Sequence, residues 1–177
     1  MAARHQPVEV APAALAEAEQ FVVRRFEQAL LGAGHPVGVV RAVLPHAGSP
    51  AYAEQAATDL EKLLDDERFE RLTTALQRVL RIVPADAAPS YDPALFDDEA
   101  ERRLHLTFTQ VRESLSKDAV SLPEFTAATL PLAEPIDAYF DEVLVMADDP
   151  AVRANHLGLL AAIRDLVADV LDWREVA

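Results

Sequence analysis

Three dipeptides in this chain carry the same signal for the start of a helix: Ser49-Pro50, Asp92-Pro93 and Asp149-Pro150. In each, a side chain that accepts hydrogen bonds from free backbone amides precedes a proline, whose fixed φ angle suits the first turn of a helix. The apolar residues that follow recur at steps of three and four, the spacing of one helix face. No segment alternates apolar and polar residues between turn residues, as a half-buried strand would. The chain is therefore predicted to be all-α.

The apolar spacing, together with glycine and proline at the boundaries, predicts a single bundle of about seven or eight helices. Gly32 and Gly34 are predicted to stop the first helix. Residues 84–91, rich in proline, alanine and serine, are predicted to form a loop. Helices are expected over about 13–31, 36–44, 50–64, 69–82, 92–117, from 123 onward, 135–146 and 150–171.

Length and composition favour one domain in a reducing compartment. The chain has 177 residues, 51% of them hydrophobic, which suffices for one domain with a core. We assign residues 1–12 to a linker or an added N-terminus, and residues 13–177 to one helical domain. The absence of cysteine excludes disulfides and zinc–thiolate sites. No apolar run approaches the roughly 18–20 residues that span a bilayer, and residues 1–7 lack the apolar core of a signal peptide, so a cytoplasmic protein is expected.

The motifs that could carry catalysis have simpler explanations. The glycines around Gly34 miss the spacing of a phosphate-binding loop, and a helix end accounts for them. The five histidines lack the spacing of a zinc or iron site. Three acidic pairs lie at predicted helix starts, where carboxylates cap backbone amides. These pairs are Asp65-Asp66, Asp97-Asp98 and Asp148-Asp149. The sequence therefore assigns no catalytic residue and no metal ligand.

Two groups of side chains instead favour recognition. Arg78 and Arg81 are three residues apart on one predicted helix and so share a surface. Arg153 and His156 have the same separation near the start of the last helix, where free amides attract phosphate. Arginine binds phosphate bidentately or stacks on an unpaired base. A competing interpretation pairs these arginines with acidic residues of neighbouring helices. The formal charge of -14 opposes nucleic-acid binding, because phosphate neutralisation supplies much of its affinity.

Several segments, taken in order, resemble one known family. They are FVVRRF at 21–26, VVRAVL at 39–44, RVLRI at 78–82, EPIDAYFD at 134–141, VLVMADD at 143–149 and VRANHLGLL at 152–160. Together they resemble the C-terminal domain of the β subunit of bacterial glycyl-tRNA synthetase. That domain is related to the anticodon-binding domain of arginyl-tRNA synthetase, known as the DALR type.

The sequence departs from the family pattern at two positions. His156 stands where the family usually has arginine after Asn155, and Arg81 stands where it usually has asparagine. His156 has two interpretations, a satisfied half-buried side chain or a base contact.

The resemblance implies a function and a set of contacts. The family domain binds the anticodon arm of glycine tRNA and supplies no catalytic residue. By implication the tRNA-binding residues here are Arg78, Arg81, Arg153, Asn155 and His156. No cofactor is expected in this domain, because ATP and Mg²⁺ serve the catalytic α subunit or a fused α region. The expected partners are glycine tRNA, the α subunit or region and the rest of the β chain, with no DNA and no membrane.

Three other functions stay open at this stage. The chain could be the corresponding domain of an arginyl-tRNA synthetase, a non-catalytic helical module that binds another protein, or a small helical enzyme, which would need a cofactor or metal that the sequence does not indicate. The second alternative suits the acidic composition better, and it predicts a stable partner and no affinity for tRNA.

Overall fold

The computed structural model describes residues 11–115 and 121–176 of this chain. These parts form eight α-helices and contain no β-strand, so the all-α prediction is confirmed. The helices are α1 Pro12–Ala33, α2 Val37–Val43, α3 Pro50–Leu63, α4 Glu67–Ile82, α5 Glu99–Ser114, α6 Leu122–Thr129, α7 Ala133–Glu142 and α8 Pro150–Val167. Of the N-terminal segment predicted as a linker, residues 1–10 lie outside the described parts, and Pro12 already belongs to α1.

The first helix ends at Ala33, and Gly34 caps it. Gly34 takes a left-handed conformation with φ of 101°, and its amide donates to the carbonyl of Leu31 at 3.1 Å. A side chain is strained at that φ, which is why glycine suits this position. Gly32, also predicted as a stop, lies inside the helix, so that part of the prediction was wrong.

Aspartates cap two helices as predicted. Asp66 Oδ1 accepts the amide of Arg68 at 2.9 Å at the start of α4. Asp149 Oδ1 accepts the amides of Ala151 and Val152 at 2.7 and 3.3 Å at the start of α8. Ser49 makes no such bond, because its ψ of 73° departs from the extended backbone that aims a capping side chain at the first turn. The serine cap was therefore predicted wrongly, although α3 does begin at Pro50.

The helix predicted to begin at Asp92 begins instead at Glu99. The Asp92 carboxylate caps only a short 3₁₀ turn, Pro93–Leu95, after which buried Phe96 is extended. The carboxylate of Glu101 then accepts the amides of Asp97 and Asp98, each at 2.9 Å, and starts α5. Asp98 and Glu101 form a capping box at this start, whereas Phe96 is buried in an extended conformation after the first one, so α5 begins only at Glu99.

Two other helices are shorter than predicted because their last apolar residues pack in extended or turn conformations. α7 stops at Glu142, and Val143 and Val145 then enter the core from a non-helical segment. α8 stops at Val167, and the chain turns back so that Leu171, Trp173 and Val176 are buried.

The C-terminal segment completes the core. Trp173 lies between Phe69 and Phe125, with ring centroids 6.1 and 6.5 Å away, and its indole nitrogen donates to the carbonyl of Val167 at 2.9 Å. The amide of Asp172 donates to the carbonyl of Ala42 at 2.8 Å and ties the segment to α2. α4 and α5 each pack against both α7 and α8. No helix within the described residues is long and apolar enough to cross a membrane.

Candidate nucleic-acid interface

Helix α4 presents a row of arginines opposite the face that it buries. Its inner face carries Phe69, Leu72, Leu76 and Val79, all buried. At 3.6 residues per turn, the three arginines of the outer side fall within roughly 80° of the helix circumference. These arginines are Arg71, Arg78 and Arg81. The prediction that Arg78 and Arg81 lie on one surface is consistent with this placement.

Arg78 and Arg81 nevertheless have different surroundings. Arg78 donates to Asp137 at 3.1 Å, lies 3.5 Å from Asp141, and stacks over the ring of Phe140 at 4.6 Å. These contacts join α4 to α7, as the ion-pair interpretation expects. Arg81 is exposed, and in the described parts of the chain its guanidinium has neither a hydrogen bond nor an ion pair. Arg81 is therefore the more available cation of the two.

Arg153 is half-buried beside the loop that precedes α8. Its Nη1 atom donates to the carbonyl of Ala147 at 2.8 Å, across the Asp148-Asp149 turn. One such bond leaves most of the five N–H donors of a guanidinium uncommitted. Arg153 can thus support the loop and still reach an anion outside it.

Asn155 is buried and binds backbone. Its Oδ1 atom accepts the amide of Asp92 at 2.7 Å, and its Nδ2 atom donates to the carbonyl of Asp92 at 3.2 Å. Only 7% of its surface is exposed. The side chain therefore joins α8 to the middle of the segment between α4 and α5.

His156 lies in an interior polar cluster. Its Nε2 atom is 3.1 Å from Glu101 Oε1, and its Nδ1 atom is 3.3 Å from the carbonyl of Val145. The Nδ1 atom hydrogen-bonds the Val145 carbonyl, whereas the Glu101 oxygen lies close to Nε2 without the alignment of a hydrogen bond. The two side chains are only 8% and 2% exposed. Burial, followed by the charges of Glu101 and Asp98, raises the pKa of nearby Tyr139, whose phenol stays neutral.

The structure separates the five predicted tRNA-binding residues into a surface group and an interior group. Arg78, Arg81 and Arg153 reach solvent, whereas Asn155 and His156 face the protein. Among residues 11–115 and 121–176, no cluster of three side chains suited to a metal ion is found.

Sequence reasoning missed several residues that build this region. Arg164 donates to the carbonyls of Pro84 and Ala87 at 2.7 and 2.9 Å, and Gly158 lies against the backbone of Ser90. Together with Asn155 they attach α8 to the loop over residues 84–92. Their spacing on α8 gives no signal by itself, because their partners are backbone atoms distant in sequence.

Replacing Asn155 by alanine tests its scaffold role. The change leaves the amide and carbonyl of Asp92 without partners, which costs about 1–3 kcal/mol of unfolding free energy. We expect a lower melting temperature in calorimetry. An unchanged melting temperature would show that the two bonds to Asp92 do not hold α8 against the loop.

The comparisons with known proteins point in one direction. The chain is 34% identical over 176 residues to "Glycine--tRNA ligase, chloroplastic/mitochondrial 2" of Arabidopsis thaliana, a match that covers 97% of the chain. It is 36% identical over 155 residues, 84% of the chain, to the glycine–tRNA ligase β subunit of Trichlorobacter lovleyi. The chain is homologous to one segment of glycine–tRNA ligases.

That segment is a small part of each relative. The chain spans 16% of the Arabidopsis protein, 22% of the Trichlorobacter subunit and 21% of the Aquifex aeolicus β subunit, to which it is 33% identical. No family model matches the chain. The named relatives are all aminoacyl-tRNA synthetases by their names, which agrees with the family resemblance of the sequence.

Proposed function

We propose that this chain is the anticodon-binding domain of a glycine–tRNA ligase β chain. The homology to glycine–tRNA ligases over 97% of the chain supports the enzyme class, and the resemblance to the C-terminal DALR-like domain supports the role within it. The relatives named above favour glycine over arginine as the amino acid. In this proposal the domain holds the anticodon arm of glycine tRNA while the acceptor end reacts elsewhere.

The observation that carries the binding role is the position of Arg81. This chain has a formal charge of -14, so most of its carboxylates repel RNA. Arg81, however, lies in the last turn of α4, away from Glu67 and Glu70 in the first turn, and it has no acidic partner in the described parts of the chain. An arginine in that state supplies phosphate contact or stacking on an unpaired base.

The five predicted residues take two roles in this proposal. Arg81 and Arg153 contact the RNA, and Arg78 contributes charge while it remains paired with α7. Asn155 and His156 are positioning residues, because they hold the start of α8 against the 84–92 loop and against Glu101.

The chemical step lies outside this domain. We propose that ATP, Mg²⁺ and glycine bind to the α subunit or to a fused α region, and that the rest of the β chain completes the tRNA-binding surface. The expected compartment is the cytoplasm.

Titration with tRNA tests this function. We expect the chain to bind glycine tRNA more tightly than the same tRNA with a substituted anticodon at 0.1 M salt. Arg81→Ala should weaken binding by about 1–2 kcal/mol, or roughly tenfold, because one guanidinium contact is lost. The matched control is Arg24→Ala, which removes one exposed charge from α1 without touching α4.

Three results would contradict the proposal in different ways. Equal binding of both tRNAs would indicate nonspecific phosphate attraction. Preference for arginine tRNA would indicate the other synthetase. No binding, together with a stable protein partner, would establish the protein-interaction alternative.

A further inference from the structure

A groove follows α4 on the side of Arg81 and is walled by residues 172–176. We call it the tail groove. Its volume of about 540 Å³ lies within the roughly 300–1,000 Å³ of ordinary small-ligand sites. Its lining includes Phe69, Thr73, Thr74, Gln77, Arg174 and Val176.

The wall of the groove is held in place by Gln77. The Nε2 atom of Gln77 donates to the carbonyls of Trp173 and Val176, each at 2.9 Å. Trp173 is itself buried in the core. The groove is therefore preformed, and a ligand need not order it, which lowers the entropic cost of binding.

One end of the groove is cationic. There it continues into a depression of about 320 Å³ lined by Gln77, Leu80, Arg81 and Arg174. Neither guanidinium forms an ion pair with an acidic side chain among the residues that the structure describes. The neighbouring carboxylate of Glu175 lies 3.6 Å from Arg41 and pairs with it. Both guanidinium groups line this depression, so a phosphate bound there can accept hydrogen bonds from both.

The other part of the groove suits a flat ring. Phe69 and Val176 give it an apolar floor, and both are buried. Thr73 also lines it, and its buried hydroxyl has no hydrogen-bond partner in the described structure. Glu70 adds a carboxylate that accepts N–H groups. From Glu70 to Arg81 the helix rises about 16 Å, at 1.5 Å per residue.

From this arrangement we propose that the tail groove binds one unpaired nucleotide of the RNA. Its phosphate lies between Arg81 and Arg174, and its base lies toward Phe69 and Thr73, with Glu70 facing the base edge. The inference rests on the proposed tRNA-binding function and adds Arg174 and the C-terminal segment to its contacts.

Intrinsic fluorescence gives a direct readout of the groove. Trp173 is the only tryptophan in the chain, and its carbonyl accepts from Gln77, which lines the groove. We would titrate the full chain with a short single-stranded oligoribonucleotide of the anticodon-loop sequence, and with inorganic phosphate as a separate arm. RNA should change the Trp173 emission saturably, whereas phosphate at the same concentration should not.

Variants at the cationic end test the assignment. Arg174→Gln should weaken oligoribonucleotide binding about tenfold, and Arg81→Gln together with Arg174→Gln should reduce the slope of log affinity against log salt by about one. Arg24→Gln, with the same loss of charge on α1, should leave both unchanged. Arg174 is exposed, so circular dichroism of the variants should match the parent protein.

The failures are separable. If RNA binds and Arg174→Gln binds equally well, the groove assignment is wrong while the anticodon function stands. If inorganic phosphate alone saturates the signal, the groove is a site for free anions and the nucleotide assignment is wrong. If neither the oligoribonucleotide nor whole tRNA binds, the groove and the proposed function fail together.

Discussion

Gly158→Ala is expected to destabilise the domain by about 3 kcal/mol or more, the largest effect of any single methyl group added at a glycine of this chain. A Cβ atom at Gly158 would lie 2.0 Å from the carbonyl oxygen of Ser90 and 2.7 Å from its carbonyl carbon. Both atoms belong to backbone, so no side-chain rotation relieves the overlap. α8 would have to leave the 84–92 loop and break the bonds made by Asn155 and Arg164. Chemical denaturation monitored through Trp173 measures the loss.

Gly32→Ala is the matched control for this prediction. Gly32 lies inside α1, and nothing comes within 4 Å of a Cβ atom built there. Alanine should raise the free energy of unfolding by about 0.5–1 kcal/mol, because it loses less backbone entropy in a helix than glycine does. Equal stability of Gly158→Ala and the parent protein would show that the loop and α8 are not packed as described.

Glu101→Ala is expected to cost about 2–4 kcal/mol of unfolding free energy, because two backbone amides lose their acceptor at once. These amides, at the start of α5, are those of Asp97 and Asp98, each 2.9 Å from Glu101 Oε2. The change also empties the space beside His156, whose Nε2 atom lies 3.1 Å from Glu101 Oε1 in the parent protein. Thermal and chemical unfolding should both report the loss.

Two further variants serve as controls. One removes the charge of Glu101 but keeps its size, and the other removes an exposed carboxylate nearby. Glu101→Gln keeps an oxygen for the two amides and offers an N–H to a neutral His156, so its cost should stay below about 1.5 kcal/mol. Glu99→Ala removes a surface carboxylate of the same helix turn, which pairs with Arg102 only at 3.7 Å, and should change stability by less than about 1 kcal/mol. If Glu101→Ala has the same free energy of unfolding as Glu99→Ala, the buried contacts of Glu101 do not stabilise the domain as described.

The fold was predictable to the extent that it depends on local chemistry. The spacing of apolar residues predicted the helices. Asp66 and Asp149 predicted two helix starts correctly, because a capping side chain binds amides within three residues of itself. The errors lie where distant packing overrides local signals. Asp92 is a capping aspartate followed by a proline, which locally favours a helix start. Phe96 is nevertheless buried in an extended conformation, and the helix begins only at Glu99. Val143 and Val145 continue an apolar pattern but pack from an extended segment.

The candidate site was less predictable than the fold. Helical spacing placed Arg78 and Arg81 on one side of α4, but it could not show that Asp137 and Asp141 occupy the first and leave the second unpaired. Asn155 and His156 belong to the segment with the most specific resemblance, and their partners lie 63 and 55 residues upstream. Arg174 gave no signal at all, because its significance depends on how the chain turns back after α8.

Helix α1 shows that stability is distributed unevenly over this domain. Leu30 is its only buried residue, and Phe21 and Val22 are 60% and 52% exposed. Tertiary packing therefore protects mainly the last turns, and the exposed part before them, up to Val22, is too short to be a stable helix by itself. Its first turns should open by local fraying and exchange their amide hydrogens quickly, while α4 exchanges only when the whole domain unfolds. A protease that meets Arg24 and Arg25 can thus remove the start of α1 from molecules whose α4 arginines and tail groove remain intact.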